Sequence, residues 1–260
     1  MRDAWSYGAS ALPLVMTAIH AGHDLRPEVA ERMALDDHSR RREEDPFTDC
    51  ITRAGGLPII VHRSRFEVDL NRPRDGCVYE SAEAAWGLEV WREPLTEEQV
   101  ERSRRLHDAF YAMLDGLLDD LARLGPFVVL DIHSYNHRRA GPDHPPEPTE
   151  TNPEVNIGTG SLDRNRWGHL VDRFMGDLAQ QTVSGHALDV RENVRFEGGY
   201  LCQRVHERHP TSGCALAVEL KKVFMDEWTG TPDHDHLDQL TDAFEAAVPL
   251  LLGELACGAA

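Results

Sequence analysis

Phe127–Ile132 (FVVLDI) follows Gly125-Pro126 and runs straight into His133-Ser134. A continuous apolar run bounded by turn residues fits a strand covered on both faces rather than one with a wet side. Three further runs share this character: Leu12–Ile19, Leu57–His62 after Gly55-Gly56, and Ala215–Leu220. Amphipathic stretches alternate with them. In Glu97–Arg123, Leu106, Phe110, Met113, Leu114 and Leu117 recur at helical spacing, and Thr96 followed by Gln99 makes a capping box. Leu162–Gln180 and Leu237–Leu255 are the other helices of this kind. This alternation predicts an α/β fold, a three-layer αβα sandwich around one mainly parallel, mixed sheet, forming a single domain over residues 1–260.

Composition narrows the function. The 260 residues carry a formal charge of −18, with 14 histidines and 5 cysteines. That acidic balance argues against nucleic acid or an anionic membrane surface as partner, but not against a small anion met by a local arginine pocket. The cysteines are odd in number and scattered without a CxxC pair, which argues against a disulfide framework or a cysteine zinc site. No apolar run reaches the length of a membrane span. Ala11–Ile19 has the character of a signal-peptide core, but Asp3 offsets Arg2 and the run flows into His20. It reads as a buried first strand of a cytoplasmic protein.

Open α/β sheets bind ligands at the carboxyl ends of their strands, so those ends hold the candidates. The first run ends at His20, with the small residues Ala21-Gly22 after it, and the third at His133. Two imidazoles and one carboxylate leave an open position in a catalytic zinc site. Asp131, two residues before His133, is placed to orient that ring. Glu43, Glu44 and Asp45, in the charged segment Leu35–Pro46, are candidates for the carboxylate, or else a solvated charge run. Glu219 stands inside an apolar strand, which suits either a general base or a salt bridge to Lys221, Lys222 or an arginine. The run Ser64–Pro73 (SRFEVDLNRP) is dense in groups that bind carboxylates or stabilise an oxyanion; its plain alternative is a charged turn. Residues 139–153, rich in Pro, Glu and Thr, form a long loop, either near the active site or simply solvated. His144, His206, His209, His234 and His236 lie in polar segments and read as solvated.

These residues carry a resemblance. His20-Ala-Gly22, Glu43–Asp45, Ser64–Pro73, Asp131–Ser134, Asn156–Thr159, Gly198–Arg204 and Ala217–Leu220 occur in the order seen in the N-formylglutamate amidohydrolase family, across residues 12 to 225. That family is related in fold to zinc carboxypeptidases and aspartoacylase. The resemblance implies a zinc-carboxypeptidase-like fold and one zinc ion. It also implies hydrolysis of an N-formyl or N-acyl amide on a small anionic amino acid such as N-formyl-L-glutamate.

The resemblance further implies that His20 and His133 bind the metal together with Glu44 or Asp45, between which EEDP does not choose. It makes Glu219 the base and Arg65 the oxyanion stabiliser, and it puts Asn71, Arg72, Arg204 and Asn156 at the substrate. His23, where zinc carboxypeptidases place a glutamate ligand, reads as a bystander rather than a substitute. Two competing readings keep the same residues: a zinc deacylase or carboxypeptidase for another N-acyl amino acid or short peptide, and a metal-binding module without turnover.

Overall fold

A computed structural model describes residues 3–258. Arg2 and the extreme ends of the expected domain, residues 1 and 259–260, lie outside the described residues. The strands are β1 (Trp5–Tyr7), β2 (Leu14–Ala18), β3 (Leu57–Val61), β4 (Phe127–Tyr135), β5 (Val155–Gly158), β6 (Thr182–Val183), β7 (His186–Ala187), β8 (Val190–Glu192) and β9 (Gly213–Lys221). Among the described residues, a seven-stranded sheet runs in the order β1-β3-β2-β4-β9-β5-β8, with β6 and β7 as a separate hairpin. The β3-β2-β4-β9 centre is parallel, while β1 pairs with β3, and β5 with β9, in antiparallel fashion. The sheet is therefore mixed and mainly parallel, as expected.

The helices are α1 (Pro27–Ala30), α2 (Asp37–Glu43), α3 (Thr48–Ile51), α4 (Glu97–Leu124), α5 (Arg164–Ala179), α6 (Tyr200–Arg208) and α7 (His234–Gly258). Strand alternation sorts the core into two layers. Leu14, Met16, Val128, Leu130, Ile132, Cys214, Leu216 and Val218 pack with α5 and α7 residues such as Phe174 and Phe244. Val15, Phe127, Val129, Ala215 and Ala217 pack on the other face with Phe110 and Leu114 of α4 and Leu201 and Val205 of α6. Thr17, Asp131, His133 and Glu219 belong by parity to this second face. There the apolar packing gives way to polar groups toward the carboxyl ends of the strands.

Most of the charged segment after β2 folds as α2. Asp36 caps it by accepting from Ser39 N at 2.7 Å, and it ends at Glu43, which puts Glu44 and Asp45 at the helix exit. The long connection at 139–153 is mostly exposed and contains one short turn of 3-10 helix at Thr149–Thr151. His209 and His236 are buried rather than solvated, and His206 is half-buried. His209 packs against Phe127, His236 pairs with Ser184, and His206 Nε2 accepts from Ala215 N at 3.0 Å. In each case the polar run that suggested exposure lies where a helix end meets the sheet or a hairpin.

Candidate metal centre and active site

His20 lies two residues past β2 and His133 near the end of β4, and their rings stand 4.9 Å apart. Gly22 lets the chain turn away after His20, since a Cβ there would sit 2.2 Å from the His62 carbonyl carbon. Asp45 is brought in by its backbone N–H, which donates to His20 O at 3.0 Å. Its carboxylate meets both rings: Oδ2 is 3.0 Å from His133 Nδ1 and 3.5 Å from His20 Nδ1. One donor atom from each of His20, Asp45 and His133 lies within 4.8 Å of the others, and all three residues are buried.

The far side of each ring is tied to a second carboxylate. His20 Nε2 pairs with Asp69 Oδ1 at 2.7 Å, and His133 Nε2 with Asp131 Oδ2 at 2.9 Å. With the proton on Nε2 in both rings, both Nδ1 lone pairs face Asp45. His20 Nδ1 is buried with no hydrogen-bond partner. A buried, unpaired nitrogen is costly unless something supplies the missing contact. Burial opposes charge on His133, yet Asp131 and Asp45 hold its pKa well above the ordinary value. Burial would likewise raise Asp45, but the two histidines pull it well below the usual carboxylate range. The donor set, with His20 Nδ1 left without a hydrogen-bond partner, fits one divalent cation.

Asp69 has a second duty. Its Oδ2 accepts from Arg65 Nη2 at 2.9 Å and from the Tyr79 hydroxyl, and its Oδ1 accepts from Asn71 N at 2.9 Å. Burial would raise Asp69, but Arg65 and His20 hold it well below the usual range. One carboxylate thus fixes a histidine of the cluster and the neighbouring arginine together. The sequence signal for it was a lone acid between Val68 and Leu70.

His20, Asp45, Arg65, Asn71, His133 and Glu219 all line one cavity of about 250 Å³. Glu219 sits on β9 opposite His133 on β4. It makes no ion pair or hydrogen bond among the described residues, so the salt bridges considered for it do not form. Lys221 Nζ donates to Asn152 O at 3.0 Å, and Lys222 Nζ to Arg42 O and Glu44 O at 2.6 and 2.7 Å. Burial, with Asp45 and Asp131 nearby, pushes Glu219 up to about 7, against the lowering effect of His133. A free carboxylate of that basicity can exchange a proton near neutral pH.

Four of the expected site residues do not line this cavity. Glu44 turns the opposite way from Asp45, because its extended backbone (ψ 175°) sends consecutive side chains apart. It accepts from Ser64, pairs with His23 and lies 3.4 Å from Arg40 Nη1. His23 thereby also faces away from the cluster. Arg72 stacks on Tyr79 and donates to Ala84 O at 2.7 Å. Arg204 is paired with Asp115, with Nη2 to Oδ2 at 2.5 Å. Asn156 is wholly buried and binds backbone on the 194–196 segment, accepting from Val194 N and Arg195 N and donating to Phe196 O. It shapes the wall that carries Phe196 and Glu197 into the cavity without reaching the cavity itself. Lys222, Tyr79 and Arg139 were not singled out as site residues from the sequence.

The fold and this site define a class: an αβα protein with a buried His–Asp–His cluster beside a free glutamate, the arrangement mononuclear metallohydrolases use. The profile of the N-formylglutamate amidohydrolase family matches residues 12–225, and the chain belongs to that family. It is 28% identical to the N-formylglutamate deformylase of Pseudomonas aeruginosa over 253 residues, with 87% of each chain covered. It is 28% identical to that of Pseudomonas putida over 250 residues, again with 87% of each covered. The fold is shared with the crystal structure of an N-formylglutamate amidohydrolase from Ralstonia eutropha JMP134, at TM-score 0.77 and 18% identity, covering 98% of this chain and 99% of that one. A gene product of Agrobacterium tumefaciens has the same fold at TM-score 0.66 and 18% identity, with 95% and 94% covered.

Proposed function

We propose that the chain hydrolyses the formamide of N-formyl-L-glutamate to formate and L-glutamate, with one zinc ion held by His20, Asp45 and His133. When bound, the ion supplies Lewis acidity toward a carbonyl oxygen and an attacking water. Glu219 takes a proton from that water as it adds to the formyl carbon. The same carboxyl then delivers the proton to the amide nitrogen as the C–N bond breaks, so water and amide become formate and amine. Arg65, steadied by Asp69 and the Tyr79 ring hydroxyl, presents its guanidinium to the oxyanion. Asp69 and Asp131 keep the two imidazoles in the tautomer that turns Nδ1 inward.

The observation that carries this reading is the pairing of an unpartnered Glu219 with His133 across adjacent strands, in the cavity where His20 Nδ1 has no partner. The Pseudomonas relatives named as N-formylglutamate deformylases support the substrate. All five cysteines are free, which suits a reducing cytoplasm. A panel of N-formyl, N-acetyl and dipeptide substrates tests the reading. Formate release from N-formyl-L-glutamate should dominate, and a stronger rate on dipeptides would overturn it.

A further inference from the structure

The two arginines expected at the substrate besides Arg65 are used elsewhere: Arg72 is stacked on Tyr79 and Arg204 is paired with Asp115. The cations that do line the cavity are Arg65, Lys222 and Arg139. Arg65 is bound to Asp69 and Tyr79, and Lys222 spends its ammonium on two backbone carbonyls. Arg139 alone of the three is exposed, and among the described residues it makes no hydrogen bond, ion pair or ring contact.

The backbone leading to Arg139 is nonetheless fixed. The Glu227 carboxylate, fully buried, accepts from His137 N at 2.7 Å and from Arg138 N at 3.1 Å, and Arg42 holds its other oxygen at 2.9 Å. Trp228 Nε1 donates to Arg138 O at 3.0 Å. Arg139 is therefore an uncommitted guanidinium on a pinned stem, so a charged hydrogen bond to a ligand breaks no existing pair and orders only the side chain.

Resting on the amidohydrolase reading, we propose that Arg139 is the specificity-determining residue that receives the side-chain carboxylate of the substrate. The scissile nitrogen and the α-carboxylate share one carbon, so the α-carboxylate stays near the reacting centre, where Arg65 and Asn71 sit. The γ-carboxylate is three bonds from that carbon and reaches the rim. Arg139 is the cation there, six residues past His133. Glu197, the other exposed charged residue of the lining, carries the wrong sign to hold that carboxylate, so Arg139 is the exposed cation available to it.

The test is calorimetric titration of the zinc-loaded chain carrying Glu219→Gln, so that ligand persists, with Arg139 or Arg139→Gln. The ligands are N-formyl-L-glutamate, its γ-amide and its α-amide. Arg139 is exposed and makes no hydrogen bond, ion pair or ring contact among the described residues, so its replacement should leave the core packing intact. Arg139→Gln should weaken N-formyl-L-glutamate and the α-amide by about tenfold or more and the γ-amide by less than about threefold, with Arg139→Lys recovering part of the loss. Equal effects on both amides, the larger effect on the γ-amide, no effect, or no binding by the Arg139 chain would each overturn the assignment. Binding that depends on Arg139 in a chain whose Glu219 form releases no formate would uphold the assignment and fail the proposed reaction instead.

Discussion

His133 and Glu219 occupy paired positions on β4 and β9, so neighbouring parallel strands hold a cluster nitrogen and a free carboxylate at one level of the sheet. Strand register is among the stiffest relationships a fold offers, because a slip of one residue in either strand would turn that strand's side chains to the other face and part the two groups. If Glu219 is the proton carrier, Glu219→Gln keeps this placement and removes the basicity. Formate release should fall by about a hundredfold to ten-thousandfold, while zinc content by elemental analysis stays at that of the parent chain.

The pH profile follows from the same residue. Metal-free, Glu219 is raised to about 7 by burial, and a base must be ionised to act. A nearby cation favours the carboxylate, so in the loaded chain the acidic limb of kcat/KM should fall at or below about pH 7. Activity should drop as pH decreases through that limb, and the limb should disappear in whatever residual rate Glu219→Gln retains.

Asp45 and Glu44 are adjacent in sequence but face opposite ways, and metal content separates them. Asp45→Asn should lose stoichiometric zinc. Glu44→Gln leaves His20, Asp45 and His133 in place and should retain it. Asp69→Asn removes the group that orients His20 and anchors Arg65, and zinc affinity in a competitive chelator titration should fall about tenfold to a hundredfold.

Gly199 tests the wall of the cavity. A Cβ at this position would sit 2.2 Å from Asn71 Oδ1. Gly199→Ala should cost about 1–3 kcal/mol in urea unfolding, as overpacking does.

His206 makes a prediction about acid stability. Burial depresses it to about 4, while it accepts from Ala215 N. Its contribution is present above the unfolded value near 6.5 and is lost as pH falls from there toward 4. Between pH 7 and 4.5 the chain should lose about 2 kcal/mol more than His206→Gln does, measured by urea unfolding at each pH.

The centre of the sheet was legible because β2, β3, β4 and β9 are apolar runs between turn residues, and α4, α5 and α7 carry long helical stripes. The edges were not. β1 and β8 are three residues long and part-exposed, β5 is four, and none stands out from polar neighbours. Placement at the candidate cavity was legible where a strand end fixes direction, as for His20, His133 and Glu219. It was not legible in Ser64–Pro73, an irregular segment that sends Arg65 and Asn71 inward and Arg72 onto Tyr79. Residue type named the chemistry there, but only the backbone path chose which side chain performs it. Arg204 lies off the cavity for a related reason: α6 turns it toward Asp115 of α4.

The most direct measurement is formate release from N-formyl-L-glutamate by the purified chain, before chelation, after complete metal removal, and after zinc is returned. The account predicts release, its loss, and its recovery with about one zinc per chain. Formate release that continues at full rate in the metal-free chain would contradict it.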